Sequence, residues 1–100
     1  MTDEFIETPK IGDILKEEFL EPLRITPYRL SKELNVSTSS VLDIVNNKRK
    51  ISVEMALRLS KYFGNSSRFW LNLQNEIEIR ETKSKMEFEL EKIHVHSQTA

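Results

Sequence analysis

The tightest constraint on this chain is a gap of three residues. Leu30 and Leu34 mark the apolar face of one amphipathic helix, and Val41, Ile44 and Val45 mark that of the next. Only Asn35, Val36 and Ser37 lie between the two segments. So short a turn, with an apolar residue at its centre, makes the helices cross steeply instead of running side by side. Asn35 suits the turn because, after glycine, it adopts left-handed backbone angles most readily. Val36 can plug the gap between the helices, and Ser31 is small enough to let their backbones approach.

The rest of the sequence also reads as helix. Ile11, Ile14, Leu15, Phe19 and Leu23 recur at spacings of three and four, which predicts a first helix with these residues inward. It should end near Glu21, because Pro22 disfavours helical geometry in the residue before it. Thr26-Pro27 opens the second helix, with threonine capping free amides and proline at the first helical position. Ser37 starts the third, and Asn46-Asn47 ends it. Ser52 caps a fourth, with Glu54 in its first turn at the positive end of the helix dipole. Ala56, Leu59 and Phe63 form its inward face, and Gly64-Asn65 closes it. A fifth begins around Ser66 and carries Phe69, Trp70, Leu73 and Ile77. The wholly polar stretch Glu81–Lys85 is expected to bend or fray. Beyond it Met86, Leu90 and Ile93 keep helical spacing, whereas Ile93-His94-Val95-His96 alternates with the period of a strand, and both readings stand. Residues 1–9 have no apolar period and read as a mobile arm; the last four residues read as disordered. The expectation is an all-α domain of five helices over 10–81, followed by a helical or short-strand extension over 82–100.

Composition narrows the function classes. One hundred residues hold one core and not two. Leu, Ile, Val and Phe together number 30, too many for a disordered chain, while 2 glycines and 3 prolines are too few for a turn-rich barrel or sandwich. The lack of cysteine excludes disulfides, thiolate zinc sites and cysteine nucleophiles. No run approaches the roughly 18 apolar residues of a membrane span. The acidic start Met1-Thr2-Asp3-Glu4-Phe5 lacks the apolar stretch of a secretory signal, so a cytoplasmic protein is expected. No Ser/His/Asp grouping, glycine-rich phosphate loop or pair of catalytic carboxylates stands out, and neither catalysis nor a cofactor is expected. Phe69 and Trp70 could stack on a nucleotide, but they share helical spacing with Leu73 and Ile77, which assigns them to a core or dimer interface. His94 and His96, two apart, would share one side of a strand and could hold a metal in a metal-dependent enzyme. Nothing nearby completes the ligand set, so a solvated tail is expected.

The formal net charge of −1 conceals a segregation. Residues 24–68 carry nine Lys or Arg against Glu33, Asp43 and Glu54, whereas residues 1–23 carry seven acids against two lysines. A basic block between acidic ends attracts a polyanion locally. Inside that block, Ser37-Thr38-Ser39-Ser40 place four short hydroxyl side chains at a helix N-terminus, where free amides also attract phosphate. Asn46-Asn47-Lys48-Arg49-Lys50 follows the same helix. Thr38, Ser39, Ser40 and Asp43 project from its outer face, where Asp43 would have to accept from cytosine N4. Lys48 and Arg49 are placed to clamp phosphates, and Arg29 and Lys32 on the preceding helix to straddle the backbone. Ser37, Asn46 and Asn47 complete the expected DNA-contacting set, together with Leu42.

These segments resemble the phage-repressor-type helix-turn-helix repressors of the XRE superfamily, and within them the HigA-family antitoxins. The strings that carry the resemblance are Gly12-Asp13-Ile14-Leu15-Lys16-Glu17-Glu18-Phe19-Leu20-Glu21-Pro22-Leu23, Val41-Leu42-Asp43-Ile44-Val45-Asn46-Asn47-Lys48-Arg49, Ala56-Leu57-Arg58-Leu59 and Phe69-Trp70-Leu71-Asn72-Leu73-Gln74. They span residues 12–74 in the family's order. The resemblance implies a small cytoplasmic homodimer that represses its own operon at a palindromic operator. It also implies neutralisation of a HigB-like, RelE-fold messenger-RNA endonuclease, with no chemistry by the antitoxin itself. Three positions depart from the family. Pro27 stands where glutamine often bonds phosphate, Asn35 and Asn47 stand where glycine is usual, and Leu42 replaces a frequent serine and could touch a thymine methyl. Helix five and the residues after it are expected to form the dimer contact. Either the arm or the acidic tail would meet the basic surface of a toxin. The alternatives are a stand-alone repressor, or a protein-interaction module that has lost DNA binding.

Overall fold

A computed structural model of the chain describes residues 9–96. The expected arm, apart from Pro9, and the last four residues lie outside the described part. Six helices follow one another. The first, α1, covers residues 11–23 and joins an α-helical turn Ile11–Ile14, a π-helical stretch Leu15–Leu20 and a final turn Glu21–Leu23. Then come α2 Pro27–Leu34, α3 Thr38–Val45, α4 Val53–Phe63, α5 Ser67–Lys85 and α6 Glu87–Glu91. No strand occurs among the described residues.

Starts and stops follow from local chemistry. Thr26, Ser37, Ser52 and Ser66 each accept a hydrogen bond from the amide three residues on, which satisfies one of the free donors at each helix start. Asn35 (φ 58°, ψ 48°) ends α2 in the left-handed conformation. Gly64 (φ 78°) ends α4 in the same region, where a side chain is strained.

The first helix departs from the sequence expectation twice. Glu21 keeps helical angles (φ −64°, ψ −48°), and the chain runs on through Pro22 to Leu23. Leu23, expected inward, is 56% exposed, and Leu20 is buried instead. The π-helical turn accounts for both. The Glu21 amide reaches back five residues to the Lys16 carbonyl. The wider turn moves aside the carbonyl that the Pro22 ring would strike, and Pro22 has no N–H to leave unpaired. In an unbroken α-helix, five steps of about 100° would set Leu15 and Leu20 roughly 140° apart. The extra residue in the π turn returns both to the core side. Arg24 (φ 57°, ψ 42°) then stops the helix.

The far end corrects one further expectation and decides between two open readings. Glu81–Lys85 neither bends nor frays but completes α5, and the break falls at Met86. Ile93–His96 form no strand; the described extension is the short helix α6 and an irregular tail.

The core gathers Ile11, Leu15 and Leu20 from α1, Leu30 and Leu34 from α2, Val41, Ile44 and Val45 from α3, Met55, Ala56 and Leu59 from α4, Ile51 from the α3–α4 loop, and Trp70. Trp70 is fully buried, its ring 4.7 Å from that of Phe19, and its indole N–H donates to Asn65 Oδ1 at 3.0 Å. It is a core residue, not a stacking platform. Phe63, expected inward, is partly buried against the same cluster. No helix among the described residues is long and apolar enough to cross a membrane.

Candidate nucleic-acid interface

The α2–α3 turn is rigid for reasons visible atom by atom. Asn35 supplies the left-handed angle, and the Val36 amide bonds back to the Ser31 carbonyl at 3.0 Å. Ser31, fully buried, donates its hydroxyl to the Tyr28 carbonyl at 2.6 Å, and its oxygen lies 3.1 Å from Thr38 Oγ1. A polar side chain at a helix crossing is tolerable only when satisfied in this way. Arg58 reaches from α4 to the Leu34 carbonyl at 2.7 Å, closing the C-terminus of α2. The crossing of α2 and α3 is therefore fixed by packing and by named hydrogen bonds.

The fixed crossing sets which side of α3 faces solvent. Val41, Ile44 and Val45 point into the core, while Ser39, Leu42 and Asn46 are exposed at spacings of three and four, with half-buried Asp43 beside them. Leu42, a large aliphatic side chain, is 41% exposed in the middle of this stripe. At the head of α3, Ser37 Oγ accepts from the Ser40 amide at 3.2 Å and lies 2.8 Å from Ser40 Oγ and 3.2 Å from Ser39 Oγ. Arg49 folds back over this face: one guanidinium nitrogen donates to Ser40 Oγ at 3.3 Å and another lies 3.6 Å from Asp43 Oδ2. Ser37, Ser39, Ser40, Asp43 and Arg49 thus form one connected polar group on the outer side of α3.

Other residues singled out from sequence are placed differently. Thr38 turns toward Ser31. Asn47 (φ 60°), though exposed, turns toward α1: its Oδ1 accepts from the Gly12 amide at 2.8 Å and its Nδ2 donates to Asp13 Oδ1 at 3.0 Å. Arg29 pairs with Glu33 one turn along α2 at 3.0 Å, and that hydrogen bond, with the carboxylate's charge, pushes the guanidinium pKa up. Lys32 lies 5.2 Å from the centre of the Tyr28 ring. Neither Arg29 nor Lys32 bonds to the α3 group. Lys48 is exposed, and among the described residues no carboxylate pairs with it. His94 and His96 lie exposed beyond α6, and among the described residues no cluster of metal-ligating side chains is assembled.

Two supporting residues lie in the strings that resemble the family, yet neither was expected at the site. A Cβ on Gly12 would sit 2.1 Å from the Ile44 carbonyl oxygen and 2.5 Å from Asn47 Oδ1, so only glycine lets α1 approach α3 this closely. Its scarcity was the available signal, since the chain holds only 2 glycines. Gln74 on α5 accepts from the Ile51 amide at 2.7 Å and donates to the Ile51 carbonyl at 2.9 Å. No local pattern announces a contact between residues so far apart in sequence.

A locked helix pair joined by a three-residue turn, presenting one polar face of its second helix, defines a helix-turn-helix protein. Comparison with known proteins gives the same answer. Residues 16–71 match the helix-turn-helix family. An HTH-type transcriptional regulator of Haemophilus influenzae is 40% identical over 79 residues, 79% of this chain and 74% of its own length. The antitoxin HigA-1 of Vibrio cholerae is 32% identical over the same shares. Among solved structures, the Pseudomonas aeruginosa antitoxin HigA with the higBA promoter is 37% identical and superposes with a TM-score of 0.80, covering 92% of this chain and 98% of that one. The chain belongs to the helix-turn-helix family, in the group that contains the HigA antitoxins.

Proposed function

We propose that this protein is the antitoxin of a type II toxin–antitoxin pair. As a homodimer it binds a palindromic operator, represses its own operon, and neutralises a HigB-like messenger-RNA endonuclease. The observation that carries the DNA-binding part is the α3 face: an exposed stripe of Ser39, Leu42 and Asn46, rimmed by Lys48 and Arg49, on a helix whose opposite side is locked into the core. Small and short side chains there let the helix enter a major groove, Leu42 suits a thymine methyl, and the two cations suit the flanking phosphates. Two copies would read half-sites centred about 10 bp apart, or a multiple of that. Support also comes from the relative whose solved structure includes its promoter. In this reading Thr38 and Asn47 act from behind, by holding α3 and its following loop. Arg29 and Lys32 would meet the backbone only after exchanging their present partners for phosphate. The protein itself performs no reaction.

The apolar residues Ile79, Met86, Phe88, Leu90 and Ile93 are exposed along the second half of α5, α6 and the tail. They are the surface assigned to the dimer contact. The acidic segments fit the basic surface expected of a ribonuclease.

The test has two arms. Purified protein should retard the DNA immediately upstream of its own reading frame and not a scrambled duplex. Co-expression with the product of the adjacent reading frame should yield a stable complex and relieve growth arrest by that product. Retardation without a complex would replace the proposal with a stand-alone repressor, a complex without retardation would replace it with an interaction module, and the absence of both would overturn it altogether.

A further inference from the structure

We propose that the polar stripe Gln74, Glu78 and Glu81 on α5 is the positioning element for the cationic loop after α3, with Gln74 as its anchor; this rests on the DNA-binding reading above. The three residues are spaced four and three apart, so they share one helix face. Gln74 and Glu78 contact the loop itself, and Glu81 contacts Lys10 just ahead of α1. Gln74 makes both hydrogen bonds to the Ile51 backbone, at 2.7 and 2.9 Å, while Glu78 pairs with Lys50 and Glu81 with Lys10 at 3.3 Å.

The loop needs such a grip. Residues 46–52 form neither helix nor strand: the Asn46, Asn47 and Lys48 amides bond back to carbonyls of α3, but among the described residues the amides of Arg49, Lys50 and Ile51 have no backbone acceptor. Ile51 is buried at the loop's end, and Gln74 supplies both the acceptor and the donor that its backbone lacks. At the loop's start, Asn47 is held by Gly12 and Asp13. Lys48 and Arg49 therefore lie on a short span fixed at its start by Asn47 and the α3 carbonyls and at its end by Gln74. Ordering the span during folding removes that cost from the binding step. The two ion pairs are solvent-exposed and contribute little alone, so the weight falls on Gln74.

The experiment uses the full chain and the substitution Gln74→Met, which keeps length and bulk and deletes both hydrogen bonds. Binding is measured against the duplex upstream of its own reading frame and against a random-sequence duplex, across a salt series. Both proteins are held at a temperature where circular dichroism shows them equally helical. The expected result is a drop of about tenfold in affinity for both duplexes. The slope of log K against log salt should also flatten by about one to two, as Lys48 and Arg49 lose their phosphates. Lys48→Ala, which flattens the slope in the unaltered chain, should then add little in the Gln74→Met background. An unchanged slope, or a Lys48→Ala effect that remains fully additive, would reduce Gln74 to a purely structural residue and overturn the proposal. If Gln74→Met does not fold, Gln74→Glu decides: it keeps the acceptor for the Ile51 amide but loses the donor to the Ile51 carbonyl, so its slope should be flatter than that of the unaltered chain, and an equal slope overturns the proposal. Failure of the unaltered chain to bind either duplex would instead overturn the DNA-binding reading, and this one with it.

Discussion

Where α1 passes α3, the contact is between backbones. The Gly12 amide meets Asn47, and the space where its side chain would be is taken by the Ile44 carbonyl. Gly12→Ala must therefore push the two helices apart. Overpacking of this kind costs about 1–3 kcal/mol, and thermal melting should show the loss. Because Asn47 shares the contact, the substitution should also loosen the start of the cationic loop and weaken duplex binding beyond what the change in folded fraction explains. Lys48 offers a cleaner test of a single charge. It is exposed and no carboxylate competes for it among the described residues. Lys48→Ala should weaken binding to all sequences alike and lower the salt slope by about 0.9, the value of one phosphate contact. A slope that stays put would refute that role. Arg49 differs, because Asp43 already occupies it at 3.6 Å. Its phosphate contact would come at the expense of that pair, so Arg49→Ala should cost less than its charge suggests.

At the scale of the helix, capping and period explain most of what forms and where it stops. Thr26, Ser37 and Ser52 were legible as starts because short hydroxyl side chains ahead of an apolar stripe have one obvious use, and Asn35 was legible as a stop because few residues tolerate its angles. Ser37→Ala should cost about 1 kcal/mol by melting, since it removes the cap of α3. The π turn in α1 was not legible. Its cause is the competition between Pro22 and the pull of Leu15 and Leu20 into one core, and a rule about proline alone sees only half of that. The turn makes a sharp prediction. Leu20→Ala should cost about 2–5 kcal/mol as a buried truncation, whereas Leu23→Ala should stay within about 0.5 kcal/mol. A reversed order in denaturant titrations would mean that α1 is an ordinary α-helix facing the way its spacing first suggested. The candidate site divides along the same line. The outward stripe of α3 follows from helical period, but the turn of Asn47 toward α1 and the reach of Gln74 join residues 35 and 23 positions apart. Such pairings depend on the finished fold, and nothing local in the chain encodes them.

The described residues measure 57 × 37 × 21 Å, longer than a sphere of their size because α5 and α6 extend from the packed helices. That extension presents Ile79, Met86, Phe88, Leu90 and Ile93 to solvent, although the core has closed without them. Apolar side chains exposed along this extension suit the copy-to-copy contact proposed above, and a twofold contact there would be self-complementary. Pairing through this end would orient two α3 faces together, and each half-site would then help to hold the other. Chains ended after Lys85 lose Met86, Phe88, Leu90 and Ile93 while keeping every residue of the buried core. They should sediment as monomers, melt at a temperature independent of protein concentration, and bind the operator far more weakly than the full chain. Their binding to random-sequence duplex should change much less, because a single α3 face with its loop cations is enough for that. A truncated protein that still sediments as a dimer would move the interface onto the first half of α5 or another helix. The extended end would then be free to meet a different partner, with the toxin the first to test by co-purification.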